Sequence, residues 1–175
     1  VFLLIRSSFF LEFSNNISYI IAIVGGLTAF FAATIGTMQN DIKRIIAYST
    51  CSQLGYMVFS CGFHNYNISF FHLFNHAFFK ALMFLGSGSV IHAMHEEQDI
   101  RKMGGLKKYM PITHLTFFAG WLAIIGAPPF AGFFSKDEIL WMSWHSPRGH
   151  FLFWFAGVLG AGMTAFYMTR LMALT

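Results

Sequence analysis

The sequence predicts an all-α membrane protein with about five transmembrane helices, one of them broken by prolines. Of its 175 residues, 56% are apolar and 10% are charged, and the mean hydropathy is +0.59. A soluble domain carries roughly 25% charged residues, so this chain has less than half of the usual solvating surface. The composition excludes a soluble globular domain and an intrinsically disordered chain, and it predicts a surface that faces lipid and other apolar helices.

Four stretches without Asp, Glu, Lys or Arg define the predicted helices: 13–40, 45–79, 109–135 and 149–169. A membrane-spanning helix needs ~20 mainly apolar residues, so the second stretch is too long for one helix. It divides at the polar turn 62–67 (GFHNYN). The sequence therefore predicts a single transmembrane domain over residues 1–175, with spans at 17–39, 43–62, 68–95, 111–145 and 150–172.

The fourth predicted span contains two adjacent prolines in its middle. Pro128 and Pro129 remove two backbone donors and clash with preceding carbonyl groups, at ~3 kcal/mol or more each in a regular helix. One interpretation is a simple kink. The other is a helix broken over 128–132 that lines a pathway, because non-helical backbone inside a membrane persists only where protein or water satisfies it.

The basic residues lie mainly on one side of the predicted bundle. The loops 41–44 and 96–110 hold six of the eleven Lys and Arg residues, whereas the other side has the uncharged turn 65–67 and Arg148. The richer side is predicted to face the cytoplasm or the mitochondrial matrix. Because acidic residues are interleaved with the basic ones in the longer loop, we expect no contact with nucleic acid.

The cysteines and the chain ends add two expectations. Cys51 and Cys61 are ten residues apart in an apolar run and fit no redox motif or disulfide framework, so both are expected to be inert buried thiols. The chain begins at Val1 rather than Met and stops at Thr175 without a polar tail. These edges suggest a fragment or the product of a split gene.

A stripe of ionisable side chains lies in the third predicted span. Lys80 is flanked by phenylalanines, and His76 and His72 precede it by four and eight residues. These spacings place all three on one helical face, along ~12 Å of helix axis. A charge in mid-membrane costs ~2.5–3.5 kcal/mol and by default marks a functional site, so the stripe predicts a proton relay. Zinc is the alternative, but the stripe offers no third ligand.

Two further groups of charges flank the spans. Lys136 directly follows the predicted break. It is either an interfacial lysine paired with Asp137 or Glu138, or the terminal proton carrier of a half-channel. Asp41 and Lys43 lie between the first two spans, where the sequence favours a positive anchor over a functional role.

A series of motifs extends from residue 28 to residue 140. The segments are 41–50 (DIKRIIAYST), 52–56 (SQLGY), 71–84 (FHLFNHAFFKALMF), 88–91 (GSVI), 102–106 (KMGGL) and 131–139 (AGFFSKDEI). Together they resemble the antiporter-like membrane subunits of respiratory complex I, a family that also includes the large subunit of multisubunit sodium/proton antiporters. The paired histidines before the lysine and the FFSKDE segment resemble the subfamily of the distal subunit, subunit 5.

This resemblance implies roles for the ionisable residues. Lys80 would be the lysine of the central axis, His72 and His76 its bridging histidines, and Lys136 the terminal lysine. Supporting polar roles along the path are implied for three further residues: Asp41, Lys43 and Asp137. The subunits of this family have additional spans upstream and a lateral helix downstream, so the chain resembles half of an antiporter-like subunit, its second half-channel.

The resemblance also implies cofactors, partners and location. The chain would conduct protons within NADH:ubiquinone oxidoreductase and hold no metal or cofactor, with NADH, FMN, iron–sulfur clusters and ubiquinone in other subunits. Its partners would be membrane lipid and other membrane-arm subunits, especially a chain that supplies the upstream helices and a neighbour resembling subunit 4. The mitochondrial inner membrane is expected, with the bacterial plasma membrane as the alternative. A sodium/proton antiporter subunit and a structural assembly module without transport remain alternatives.

Overall fold

The computed structural model describes residues 1–147 and 149–175, so Arg148, which the sequence placed on the less charged side, lies outside the described residues. Within these residues the chain is helical and forms no β-strand. The α-helices are α1 (Phe2–Arg6), α2 (Ser8–Glu12), α3 (Asn15–Met38), α4 (Ile42–Gly62), α5 (Tyr66–Ala93), α6 (Pro111–Ile125), α7 (Ala131–His145) and α8 (Phe151–Leu174). Short 3₁₀ turns cover Ile100–Lys102 and Leu106–Lys108.

The helices α3 to α8 confirm the predicted all-α architecture. The ends of the five predicted spans lie within two residues of helix ends, with the fourth span divided into α6 and α7. Among the described residues, three segments are long and apolar enough to cross a membrane: Asn16–Met38, Tyr66–Ala93 and Phe151–Leu174. Helix α4 has the length but carries a buried polar face, which lowers its hydropathy. The short helices α1 and α2 were not predicted.

Helices α3 and α4 form an antiparallel hairpin whose backbones touch. A Cβ atom on Gly55 would lie 2.5 Å from the backbone nitrogen of Ala29, and one on Gly62 would lie 2.5 Å from that of Ala22. Only glycine permits such a close approach. The hairpin therefore holds the inner face of α4 in a fixed position against α5 and α8.

The fourth predicted span is two helices rather than one kinked helix. Helix α6 ends at Gly126, which has φ +83°, and α7 begins only at Ala131. A Cβ atom on Gly132 would collide with the carbonyl oxygen of Ala123, so the first turn of α7 packs directly on the last turn of α6. The chain is therefore broken here rather than simply kinked, so the kink interpretation is wrong; that the break lines a pathway stays a prediction.

Charged loops close the end of the bundle at which α3 and α5 finish. The backbones of Asp41 and Asp99 form an isolated antiparallel β-bridge. Arg101 forms an ion pair with Asp99 at 2.6 Å, and Lys102 forms one with Glu97 at 2.9 Å. The hydrogen bond from Arg101 lowers the pKa of Asp99 to about 2, and the one from Lys102 lowers the pKa of Glu97. Because these pairs are exposed to solvent, they add little to stability.

Candidate functional site

Helix α5 carries its three ionisable side chains on one buried face. His72, His76 and Lys80 have exposed fractions of 0%, 4% and 5%. The rings of the two histidines are 6.1 Å apart between centroids. Phe74 and Phe78 occupy the outward face of the same turns and are exposed. The structure thus brings the three ionisable residues into a single line inside the bundle.

Neutral oxygen atoms of α4 bind the ammonium group of Lys80. Its Nζ donates to the carbonyl oxygen of Ile46 at 3.0 Å and to the Oγ of Ser49 at 2.7 Å. The Ser49 hydroxyl also neighbours the hydroxyl of Tyr167 on α8. The buried polar side chains of the described residues include no carboxylate. Lys80 is therefore bound by dipoles and has no counter-ion, which makes its charge costly to keep.

The break between α6 and α7 provides the partner of Lys136. Its Nζ donates to the carbonyl oxygen of Ile124, in the last turn of α6. In a continuous helix this carbonyl would accept from the residue four positions later, but that residue is Pro128, which has no N–H. The proline thus leaves an acceptor free for the lysine. Across the described residues, no ion pair joins Lys136 to Asp137 or Glu138.

His72 joins three helices through its two ring nitrogens. Its Nδ1 lies 2.7 Å from the Oγ of Ser135 on α7, and its Nε2 lies 3.1 Å from the Oε1 of Gln53 on α4. His76 is less constrained, because its buried Nε2 has no hydrogen-bond partner within the described part of the chain. Its ring packs edge-to-face on Phe79, with centroids 5.3 Å apart. The two histidines therefore differ: one is fixed and one has a free nitrogen.

Sequence comparison identifies the family to which the chain belongs. A family model described as the transmembrane region of NADH:quinone oxidoreductase and the Mrp antiporter matches residues 1–164. The chain belongs to this family. The match confirms the resemblance that the motifs indicated and covers α1 to α7 and most of α8.

Relatives within the NADH:quinone oxidoreductase/Mrp antiporter family are identical to the chain at just over half of the aligned positions. NADH-ubiquinone oxidoreductase chain 5 of Acanthamoeba castellanii is 54% identical over 176 residues, which cover 99% of the chain and 26% of that protein. NADH-quinone oxidoreductase subunit L of Rickettsia bellii is 56% identical over 174 residues, with 99% and 26% covered. The chain thus spans about a quarter of the length of these relatives.

Solved structures of family complexes have the same fold. A chain of the membrane-bound sulfane sulfur reductase, an archaeal respiratory membrane complex, matches with a TM-score of 0.82 and 29% identity, over 90% of this chain and 32% of that one. A chain of the Mrp complex from Dietzia sp. DQ12-45-1b matches with a TM-score of 0.83 over 90% and 29%. At 21% identity, the second match concerns the fold alone.

The polar partners of the ionisable residues were not predicted from the sequence of this family member. Ser49 and Gln53 on α4 and Ser135 on α7 bind Lys80 and His72, and all three partners are fully buried. A signal was present, because residues 49, 53, 56 and 60 are Ser, Gln, Tyr and Ser at helical spacing within a charge-free stretch. It passed unnoticed because uncharged polar residues cost less in a membrane than lysine does.

The three residues with implied supporting roles lie away from the buried line. Asp41 caps the N-terminus of α4, where its carboxylate accepts from the backbone N–H of Arg44 at 3.1 Å. Lys43 is exposed in the first turn of α4, and Asp137 is exposed on the outer face of α7. In this chain none of them has a hydrogen bond or ion pair to His72, His76, Lys80 or Lys136 within the described residues.

The buried site combines four basic side chains with neutral acceptors. The described residues contain no cluster of His, Cys, Asp and Glu that could hold a metal ion. These four bases can accept, hold and release protons.

The two cysteines differ in exposure. Cys61 is buried as expected, but Cys51 lies on the outer face of α4 and is exposed, so the expectation for Cys51 was wrong.

Proposed function

We propose that this chain forms the second half-channel of an antiporter-like subunit that translocates protons in the membrane arm of NADH:ubiquinone oxidoreductase. The observation that carries the proposal is the buried line of Lys80, His76 and His72, which Ser135 connects to the helix bearing Lys136. The relatives named as chain 5 and subunit L support the assignment to this complex.

Each lysine would exchange its proton because no counter-ion fixes its charge. After Lys80 releases a proton, its neutral amine still has a partner, because the Ser49 hydroxyl can turn and donate to it. The free Nε2 of His76, one turn away on α5, can accept that proton directly or through water. His72 would pass it towards Lys136, from which it leaves beside the break at Pro128.

The chain would need other subunits for both driving force and a complete path. The half-channel upstream and the redox groups (NADH, FMN, iron–sulfur clusters and ubiquinone) would belong to those subunits, and electron transfer there would shift charge along the membrane arm. A neighbour resembling subunit 4 and the surrounding lipid would cover the exposed apolar faces. We place this assembly in the mitochondrial inner membrane, or in the plasma membrane of a bacterium.

The buried residues favour protons over sodium as the transported ion. Sodium, like other hard cations, binds to oxygen ligands and prefers carboxylates, whereas this half of the path presents four basic side chains and no buried carboxylate among its described residues. A positive lysine would repel sodium at both ends of the line. For the same reason, a purely structural module is less favoured, because four buried basic groups would be a costly way to pack helices.

The test replaces each lysine in the full-length subunit within the assembled complex. We expect Lys80→Met and Lys136→Met to reduce the number of protons translocated per NADH oxidised, because methionine keeps the length and apolar stem but cannot carry a proton. The measurement is proton translocation into sealed vesicles together with NADH oxidation. Sodium-dependent exchange is measured in parallel.

Lys107→Met is the matched control, since Lys107 lies exposed in the 3₁₀ turn Leu106–Lys108. It should leave translocation unchanged. Wild-type translocation per NADH in a correctly assembled Lys80→Met complex would refute the relay. Exchange that depends on sodium would instead support the antiporter alternative.

A further inference from the structure

The hydroxyl of Ser135 lies between two acceptors. Its Oγ is 2.7 Å from the Nδ1 of His72 and 3.4 Å from the carbonyl oxygen of Gly132 in the first turn of its own helix. The residue is fully buried, so water does not compete for the hydroxyl. A serine has one proton to donate, and the short distance to His72 favours that direction whenever Nδ1 can accept.

Gln53 determines when Nδ1 can accept. Its Oε1 faces the Nε2 of His72 at 3.1 Å, and a carbonyl oxygen only accepts, so Nε2 carries the hydrogen. In neutral His72 the other nitrogen, Nδ1, is then an acceptor, and Ser135 donates to it. In protonated His72 both ring nitrogens are donors, and Ser135 must accept.

We propose that Ser135 is a positioning residue whose hydroxyl reverses direction with the charge of His72. When His72 takes up a proton at Nδ1, this N–H donates to the Oγ of Ser135, and the hydroxyl hydrogen turns to the carbonyl oxygen of Gly132. When His72 releases the proton, the hydroxyl returns to Nδ1. Only hydrogen bonds change, and no covalent bond other than N–H forms or breaks.

The reversal connects the charge of His72 to the helix break. Gly132 packs against the carbonyl group of Ala123, and the next carbonyl along α6, that of Ile124, holds Lys136. A hydrogen bond from Ser135 to the carbonyl oxygen of Gly132 therefore forms where α7 packs against α6, next to the carbonyl group that binds Lys136. The inference rests on the proposed proton transfer and identifies the residue that links its two parts.

The test uses Ser135→Ala in the full-length subunit within the intact complex. The titratable groups that face His72 are His76 on its own helix and Lys136 on α7, while α4 presents the neutral Gln53. Alanine removes the hydrogen bond of both states, and because the bond from the charged ring is the stronger one, a lower pH is needed to charge His72. We expect the pH profile of proton translocation to move by about half a unit to one unit towards acid.

Two further variants make this outcome specific. Ser135→Thr keeps the hydroxyl and should retain the wild-type profile. Ser143→Ala is the matched control, because Ser143 is also buried on α7 but its hydroxyl donates back to Leu140 of the same helix, at 2.7 Å. It should leave the profile unchanged. If Ser135→Ala does not assemble, Ser135→Cys, a weaker hydrogen-bonding group of similar size, should show a smaller acid shift.

The result separates this inference from the proposed function. If Lys80→Met abolishes translocation while Ser135→Ala keeps the pH profile of Ser143→Ala, the reversal of the Ser135 hydroxyl is refuted. The proposed proton relay through Lys80 is then still supported. If Lys80→Met translocates normally, the relay itself falls. An acid shift that appears in Ser135→Ala and is absent in Ser135→Thr supports the reversal of the hydroxyl. A merely structural loss would lower translocation at every pH without moving the pH profile.

Discussion

Lys80 and Lys136 are both buried without a counter-ion among the described residues, but the backbone around them differs. Lys80 lies beside α4, a continuous helix, and binds the Ile46 carbonyl together with the Ser49 hydroxyl. Lys136 lies at a broken helix and binds the Ile124 carbonyl, whose normal helical partner is replaced by Pro128.

The difference shows two ways of providing an acceptor for an ammonium group inside a membrane. A regular helix uses its carbonyl groups for its own hydrogen bonds, so a second acceptor must come from a side chain, and α4 supplies it with Ser49. A proline break leaves carbonyl groups without a backbone partner, so no side chain is needed. The hydrogen bonding of Lys80 should therefore be sensitive to side-chain substitutions, whereas that of Lys136 should be sensitive to changes in backbone packing.

The largest effect is expected from Gly132→Ala, which acts on the packing that holds Lys136. The new Cβ would collide with the carbonyl oxygen of Ala123, which belongs to the backbone and cannot move aside. The strain of about 1–3 kcal/mol would separate α7 from α6 and withdraw Lys136 from Ile124. We expect a large loss of assembled subunit and of proton translocation, measured on native gels and in sealed vesicles.

Gly88→Ala on α5 is the control for this substitution, because a Cβ placed there meets no atom within 4 Å from the other helices of the described chain. It should assemble and translocate as the wild type does. Normal assembly and translocation in Gly132→Ala would mean that contact between the helix ends does not hold Lys136.

Ser49→Ala tests the Lys80 side of the comparison and should have a smaller effect. It removes one of two acceptors and leaves the Ile46 carbonyl in place. A hydrogen bond to a charged group contributes about 1.5–3 kcal/mol, so we expect the translocation that depends on this subunit to fall by about tenfold or more while assembly persists. Ser52→Ala is the matched control, since its buried hydroxyl binds Ala29 on α3 instead, at 2.9 Å. Equal losses in both variants would argue against a specific role of Ser49.

The smallest effect is expected in the exposed loop that contains Asp99 and Arg101, because its ion pairs are in contact with solvent. Asp99 has a pKa of about 2 because Arg101 hydrogen-bonds to it, so its contribution is fully present above its usual pKa and is lost only as the pH falls towards 2. Arg101→Ala should therefore change the melting temperature of the complex very little, and equally at pH 5 and pH 8. A difference that grows within this range would show that the loop contains another titrating group.

The sequence predicted the helices well because their signals are local. Runs without charge, a polar turn and a double proline determine where α3 to α8 begin and end, and these features need no knowledge of packing. The buried lysines and histidines were equally visible, since each is costly in lipid and stands out in a single span. The interpretation of Pro128 stayed open, because a kink and a break require the same residues.

The partners of those residues could not be predicted in the same way. Ser135 approaches His72 across 63 positions of sequence, and Gln53 approaches it across 19. Which face of α4 turns inward depends on glycine contacts with α3, and these exist only in the folded bundle. Serine and glutamine are also common enough in membrane helices that spacing alone does not distinguish a ligand from a packing residue.

The close glycine contacts between α3 and α4 have a consequence for the biogenesis of the protein. Helix α4 lacks the hydropathy of an independent span, so the translocon would not release it into lipid alone. Helix α3 is apolar enough to span the membrane, and its backbone is in direct contact with Gly55 and Gly62 of α4. The two helices should therefore leave the translocon as a pair, and the polar face that serves Lys80 would be sheltered from lipid from the moment it enters the membrane.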